Sequence, residues 1–253
     1  MTLQIDDGFC YGLGVFETIA VENGRALFLN QHIERMIKAA ERLELDWREG
    51  DFQSGTYIEQ KWGKLICEYI TEQNIQRGAV KLTVTAENIL LTHRDNPYKE
   101  EDYQRGFVLE QSSIRRNESS PLTYFKTLNY GDNIMEKRRA HKDGFDEPFF
   151  LNMRGELTEG AVTNLFFVKK GKILTPSVAC GLLDGIVRRF VIEQFPVTEQ
   201  VILPQDIFDM DEMFVTNSLL GIMPVQKCQG HVFTERGITE QIRKAYLLRT
   251  HLA

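Results

Sequence analysis

The chain has 253 residues, 42% hydrophobic and 26% charged, which is enough for one large domain or two smaller ones with cores of their own. A net charge of −6 argues against nucleic acid or an anionic membrane surface as the main partner. No apolar run reaches the length of a membrane span, and Met1–Asp7 lacks the basic head and apolar stretch of a signal peptide.

The four cysteines, Cys10, Cys67, Cys180 and Cys228, are scattered, with no Cys-x-x-Cys pair and no histidine cluster nearby. That usage reads as free thiols in a reducing cytoplasm, with no disulfide and no metal site.

Gly8, Gly12 and Gly14 open the chain in a Gly-x-x-x-Gly-x-Gly arrangement. The spacing is not the dinucleotide fingerprint, and an extended segment is expected to follow it. Val15 to Val21 reads as a strand, Glu22-Asn23-Gly24 as a tight turn and Arg25 to Leu29 as the returning strand, because Asn-Gly between apolar runs signals a hairpin. Asn30 is expected to cap a helix with apolar positions at Ile33, Ile37, Ala40 and Leu43. Arg35 falls off that stripe and reads by default as a solvated charge.

Tyr57 to Gln73 carries a second helical pattern with Ile58, Trp62, Leu65, Ile66 and Tyr69 inward. Ala79 to Ala86 alternates as a strand with Val80, Leu82 and Val84 on one face. Thr92 to Arg105 reads as a charged loop and Phe107 to Gln111 as a strand. Residues 115–121, from Arg115-Arg116-Asn117 to Pro121, gather charge and turn residues without periodicity, the pattern of an interdomain linker. The expected domains are therefore 1–114 and 122–253.

Beyond the linker, Asn129 to Lys142 reads as a helix, and Pro148 to Leu174 as a meander of short strands. Helices are expected over Ile186 to Phe195 and Gly237 to Leu252, with a strand over Glu212 to Thr216 between them. The fold class is α+β: a small N-terminal α/β domain and a larger strand-rich C-terminal one.

Four features carry chemistry. Lys126 sits between Phe125 and Leu128, and an ammonium among apolar groups escapes its desolvation cost by losing a proton. The resulting amine attacks carbonyls, although an isolated lysine is more often a solvated one. Glu159 lies where a strand meets an apolar run, so a half-buried carboxylate there needs a cation. Gly185 before a helix leaves backbone N–H groups for an anion, and Asn217-Ser218 ends a strand with further donors.

In this order, these features resemble the class IV aminotransferases, the fold-type IV pyridoxal-phosphate enzymes. The resemblance rests on Tyr11-Gly12-Leu13-Gly14-Val15-Phe16-Glu17-Thr18, His32-Ile33-Glu34-Arg35 and Lys126-Thr127-Leu128-Asn129-Tyr130. It continues through Glu159-Gly160, Asn164-Leu165-Phe166, Leu183-Asp184-Gly185-Ile186-Val187-Arg188 and Thr216-Asn217-Ser218 to Met223-Pro224-Val225, and so covers nearly the whole chain.

The resemblance implies pyridoxal 5'-phosphate as cofactor and a pseudo-barrel for the larger domain. By the same likeness Lys126 holds the cofactor covalently and shuttles protons, Glu159 keeps the pyridine nitrogen protonated, and Tyr130 stands beside the ring hydroxyl. Arg35, Ser218 and the backbone N–H groups of Ile186 and Val187 match the phosphate cradle, with Asn164 also among the cofactor-binding residues. Val187 stands where many relatives have threonine, so one hydroxyl contact is missing and a weaker phosphate grip is expected.

Within the family, the short chain, Arg-Arg-Asn before Ser-Pro, and Asn-Ser through Met-Pro-Val are most similar to the 4-amino-4-deoxychorismate lyases of folate synthesis. That likeness implies release of pyruvate to leave p-aminobenzoate. Arg115 or Arg116 then becomes a candidate for a substrate carboxylate, against the plainer reading of solvated linker charges. Thr18 and Tyr11 become candidates for protonating the departing enolpyruvyl group. The alternatives are a transaminase acting on branched-chain or D-amino acids, and a non-catalytic binder that kept the fold. A homodimer is implied, because relatives lend a loop to the partner's site.

Overall fold

The computed structural model describes residues 2–45 and 55–251. The chain divides into two compact units, one of residues 2–97 with Phe125–Tyr130, the other of Tyr98–Tyr124 with Gly131 onward. The division expected from sequence, a linker at 115–121, is corrected by two facts. Arg115 and Arg116 end a strand of the second unit, and the lysine segment returns to the first.

The first unit runs α1 (Asp7–Tyr11), β1 (Val15–Glu22), β2 (Arg25–Ala26), α2 (Leu29–Arg42), α3 (Gly55–Glu72), β3 (Arg77–Val84) and β4 (Ile89–Arg94). Its strands form an antiparallel sheet in the order β2-β1-β3-β4. Asn23 and Gly24 both adopt positive φ, as the two-residue hairpin turn requires. Val15, Ile19 and Val21 of β1 and Val80, Leu82 and Val84 of β3 are buried with Ile33, Met36, Ile37 and Ala40 of α2 and Trp62 and Ile66 of α3. Burial of this kind contributes roughly 1.5–3 kcal/mol per large side chain. The side chain of Ile58 lies outside the described residues.

Three local expectations differ from the structure. The returning strand stops at Ala26: Leu27 N–H still bonds to Ala20 O, but Phe28 takes a left-handed conformation as the N-cap of α2 and turns the chain away. Asn30 is therefore inside the helix and does not cap it. Gly8 lies in a short helix, where the Asp6 carboxylate caps Phe9 N–H at 3.0 Å. Within the stretch read as a charged loop, Thr92 to Arg94 complete β4 and Glu100–Arg105 form a helix whose first turn is acidic, which suits the positive end of the helix dipole.

The second unit runs α4 (Glu100–Arg105), β5 (Phe107–Arg116), α5 (Gly131–Lys142), β6 (Glu147–Asn152), β7 (Leu157–Gly160), β8 (Asn164–Lys169) and β9 (Lys172–Pro176). It continues with α6 (Ile186–Gln194), β10 (Val197–Gln200), β11 (Glu212–Asn217), β12 (Gly221–Cys228), β13 (His231–Val232) and α7 (Gly237–His251). Strands β8-β11-β12-β5-β6-β7 follow one another, and β7 pairs back onto β8, closing a barrel. Strands β9 and β10 extend from β8, and β13 pairs with β12.

One face of the barrel strands buries Phe107, Leu109, Phe149, Leu151, Leu165, Phe167, Val215 and Met223 in a single core. Phe166 and Phe214 stack on the opposite face at 4.8 Å between centroids. Among the described residues no helix is long and apolar enough to cross a membrane. Cys180 and Cys228 are buried free thiols, and burial pushes that of Cys228 up to about 12.

Candidate active site

In the first unit the glycines at the start explain the position of Lys126. Phe16 N–H donates to Lys126 O at 3.0 Å and Leu128 N–H to Gly14 O at 2.9 Å, so the lysine segment pairs with the start of β1. A Cβ on Gly14 would stand 2.6 Å from Leu128 Cδ1, and one on Gly12 would stand 2.9 Å from Asn129 Oδ1. Gly12 also has φ of +70°, and the amide of Asn129 donates to its carbonyl at 2.9 Å. The motif is a packing device that lets Lys126 approach the sheet.

The amine of Lys126 lies 4.5 Å from the centroid of Phe16 and 4.8 Å from that of Tyr130, and the two rings meet edge to face at 5.1 Å. Thr18, two residues on from Phe16, points to the same face of β1. It is half-buried, and its hydroxyl makes no hydrogen bond among the described residues. Tyr11 ends α1 with 70% of its surface exposed.

Arg35 is not the solvated charge that its place off the α2 stripe suggested. It is buried, with Nε 2.7 Å from Glu17 Oε1 and Nη2 2.7 Å from Glu17 Oε2. His32 Nδ1 donates to Glu17 Oε2 at 2.7 Å. Burial alone would raise the Glu17 carboxyl, but Arg35 and His32 carry it far below the usual carboxylate range. Burial depresses His32 below its ordinary value against the pull of Glu17, with the charges of Arg35 and Lys126 adding to the fall. Sequence reasoning gave Glu17 and His32 no role, although an acid inside an apolar strand and a histidine one helical turn before Arg35 were visible signals.

In the second unit Glu159 is buried near the end of β7. Its Oε2 accepts Leu183 N–H at 3.0 Å, and its Oε1 lies 3.2 Å from Arg116 Nη2. Arg116 also donates to Asn133 Oδ1 at 3.1 Å and stacks 4.1 Å from the Phe150 centroid. It is thus built into the carboxylate's surroundings, which replaces its reading as a linker charge or a residue held out to substrate. Arg115, next along β5, is exposed.

Asn164 stands opposite Glu159 across the closing pair of strands. Its amide donates to Leu183 O at 2.8 Å, and a Cβ on Gly185 would come within 2.1 Å of its Oδ1. Gly185 is the N-cap of α6 and supplies no side-chain cap, so the first-turn N–H groups around Ile186 and Val187 keep their affinity for an anion. The side chain of Val187 is buried. Ser218 lies in the turn after β11, where Asn217 Oδ1 accepts Leu219 and Leu220 N–H at 2.8 and 2.9 Å, making Asn217 a turn former.

Two further residues hold this region and were missed from sequence. Asn133 Nδ2 donates to Ala161 O at 2.6 Å. The fully buried Glu147 accepts Val162 N–H at 2.7 Å and the Thr163 hydroxyl at 3.1 Å. Both fix the turn between Glu159 and Asn164.

Each unit carries part of what a phosphorylated pyridine aldehyde needs: the first an amine against aromatic rings, the second a buried carboxylate and an uncapped helix start tied to it through Leu183. The class IV aminotransferase family model matches residues 14–228. The chain belongs to that family.

Aminodeoxychorismate lyase of Bacillus subtilis is 29% identical, over 88% of this chain and 80% of the relative. D-alanine aminotransferase of Listeria monocytogenes is 26% identical, over 90% of this chain and 83% of the relative. The solved structure of a branched-chain aminotransferase from Thermoproteus uzoniensis superposes with a TM-score of 0.84 at 24% identity, covering 95% of this chain and 86% of that one, a likeness of fold. The fold is that of the fold-type IV enzymes, and the family's cofactor is pyridoxal phosphate.

Proposed function

We propose that this class IV enzyme is a 4-amino-4-deoxychorismate lyase, releasing pyruvate and leaving p-aminobenzoate. The observation that carries the reading is Thr18. An uncommitted hydroxyl shares a sheet face with Phe16, the ring against which the Lys126 amine lies. An elimination needs a second proton-transfer group besides the lysine, to accompany the leaving group. The relative from Bacillus subtilis with that activity supports the same reading.

In this assignment Lys126 holds the cofactor, and Glu159, ion-paired with Arg116, takes the pyridine nitrogen. Arg35, Ser218 and the N–H groups of Ile186 and Val187 take the phosphate, and Tyr130 the ring hydroxyl. Bound there, pyridoxal phosphate supplies an aldehyde for the substrate amine and a ring that accepts electrons. Lys126 Nζ removes the substrate ring proton, Thr18 Oγ1 donates a proton to the oxygen of the departing enolpyruvyl group, and the proton taken up by Lys126 replaces the one that Thr18 gave. The enol becomes pyruvate, and the aromatic ring gained by the other product drives the step. Thr18 is preferred over Tyr11 because it shares the lysine's sheet face.

The rival reading, a D-amino-acid or branched-chain transaminase, has the Listeria relative on its side. Thr18 separates the two. Thr18→Val should abolish pyruvate release from aminodeoxychorismate while Thr18→Ser retains it, and equal activity of both variants would remove Thr18 from the mechanism. The reading also takes the working enzyme as a cytoplasmic homodimer, its exposed Ile5, Phe9 and Tyr11 covered by the second copy. A fully active monomer in sedimentation at assay concentration would count against that.

A further inference from the structure

Phe16 receives two ammonium groups. Besides Lys126, Lys81 places its Nζ 4.3 Å from the same ring centroid, so the two nitrogens are no further apart than the sum of their distances to it. Lys81 lies on β3 directly opposite Thr18, and the pleat puts it on the face of the sheet away from the apolar core.

Arg94 of β4 pairs with Ala79 two residues before Lys81, and so stands on that face as well. Neither Lys81 nor Arg94 has an ion-pair partner among the described residues, although Lys81 is half-buried. A half-buried lysine without a carboxylate is unusual, because its desolvation is uncompensated. Burial, reinforced by Arg94, already pulls Lys81 below its ordinary pKa.

The other charged and titratable groups that the first unit brings near Lys126 do not offset this charge. Glu17 of β1 is committed to Arg35 and His32 of α2, and His32 is held neutral at ordinary pH. Tyr130 presents its ring. Glu17 and Arg35 cancel as a pair, so within the first unit half-buried Lys81, with exposed Arg94 behind it, adds a positive contribution to the field at Lys126. A cation near an amine favours the uncharged, nucleophilic form, the same form that a cofactor aldehyde requires.

We propose that Lys81, backed by Arg94, is an electrostatic positioning residue that keeps the nitrogen of Lys126 unprotonated when the cofactor aldehyde is to be captured. It touches neither cofactor nor substrate in this role and acts through charge across the Phe16 ring. The proposal rests on Lys126 being the cofactor lysine, and it is independent of which substrate the enzyme takes.

The test is a pH titration of the absorption band of the cofactor joined to Lys126, in purified holoenzyme without substrate. Wild type and Lys81→Arg should share one midpoint, because both carry the cation. Lys81→Met and Lys81→Gln should titrate about half a pH unit or more higher, the size of one charge removed from the other side chain of a shared ring through a partly aqueous medium. In the wild type, added sodium chloride should raise the midpoint toward the variants' value, since partly exposed charges are screened.

An unchanged or lowered midpoint in the neutral variants, or a wild-type midpoint indifferent to salt, overturns the proposal. The salt titration decides the matter even where a variant fails to fold. Borohydride reduction and peptide mapping of the same samples tell this failure apart from a wrong lysine assignment. A label away from Lys126 removes the premise and the proposal together, whereas a label on Lys126 with an unmoved midpoint removes the proposal alone.

Discussion

Glu159 and Asn164 are the cross-strand pair through which β7 meets β8 and the barrel closes. One carries the carboxylate assigned to the pyridine nitrogen, and the other holds Leu183, whose N–H returns to that carboxylate. The closing seam therefore fixes the anion-accepting start of α6 and the carboxylate to one another. Leu183 is the residue that joins them, its N–H to the carboxylate and its carbonyl to the amide of Asn164.

The first prediction is Glu159→Gln. The isosteric amide removes the charge facing Arg116 and leaves that guanidinium half-buried without its counterion. Turnover should fall by about two orders of magnitude or more, the usual effect of losing one electrostatic partner of a transition state. The circular dichroism spectrum should remain that of the wild type. Activity within a few-fold of wild type would mean that Glu159 is only a structural carboxylate.

The second concerns Gly185→Ala. Its Cβ would meet Asn164 Oδ1 at 2.1 Å, while Asn164 is tied through its amide to Leu183, so the start of α6 must shift. Cofactor affinity, measured by titrating apoprotein with pyridoxal phosphate, should weaken by at least about tenfold, the equivalent of ~1.4 kcal/mol. Unchanged affinity would show that α6 does not seat the phosphate.

How much was legible in the sequence follows from how local each signal is. The Asn23-Gly24 hairpin and the Val80, Leu82, Val84 alternation depend on neighbours a few residues away, and both stand in the structure. Lys126 and Glu159 stand out in the sequence because their polar side chains interrupt apolar runs. Pattern alone reads Arg35 and Arg116 as solvated, because their partners, Glu17 and Glu159, lie on other elements. The unit boundary escaped for the same reason: the hydrogen bonds that return 125–130 to the first unit are made with Gly12, Gly14 and Phe16. Helix α4 was hidden by its charges, which read as a loop until its acidic first turn is placed at a helix start.

The third prediction is a pH dependence of stability. His32 has a folded pKa below its unfolded value, so the unfolded chain binds its proton first and stability falls as pH drops below about 6.5. Glu17 is likewise depressed, so its contribution is present above about pH 4.3 and is lost on further acidification. Both act in the same direction, and thermal unfolding followed against pH should show two acid-side losses. Glu17→Gln should remove the lower one and leave Arg35 buried beside a neutral amide, at a cost of about 3–5 kcal/mol at neutral pH. A melting temperature close to wild type would contradict the buried pair.

A fourth prediction is that borohydride reduction of the yellow holoenzyme fixes the cofactor to Lys126 and to no other lysine, Lys81 included. The two amines share the Phe16 ring, so peptide mapping must resolve them. A label on Lys81 would reverse their roles.

The most direct test of the lyase reading is turnover without a keto acid. Enzyme mixed with aminodeoxychorismate alone should yield p-aminobenzoate and pyruvate in equal amounts over many turnovers, because the amine leaves with the product and the aldehyde on Lys126 is restored in each cycle. D-alanine or L-leucine without an acceptor should leave the absorption band of the lysine-bound cofactor in place. The contrary result is a band bleached by either amino acid and restored by 2-oxoglutarate, with no pyruvate released from aminodeoxychorismate; it would make the enzyme a transaminase.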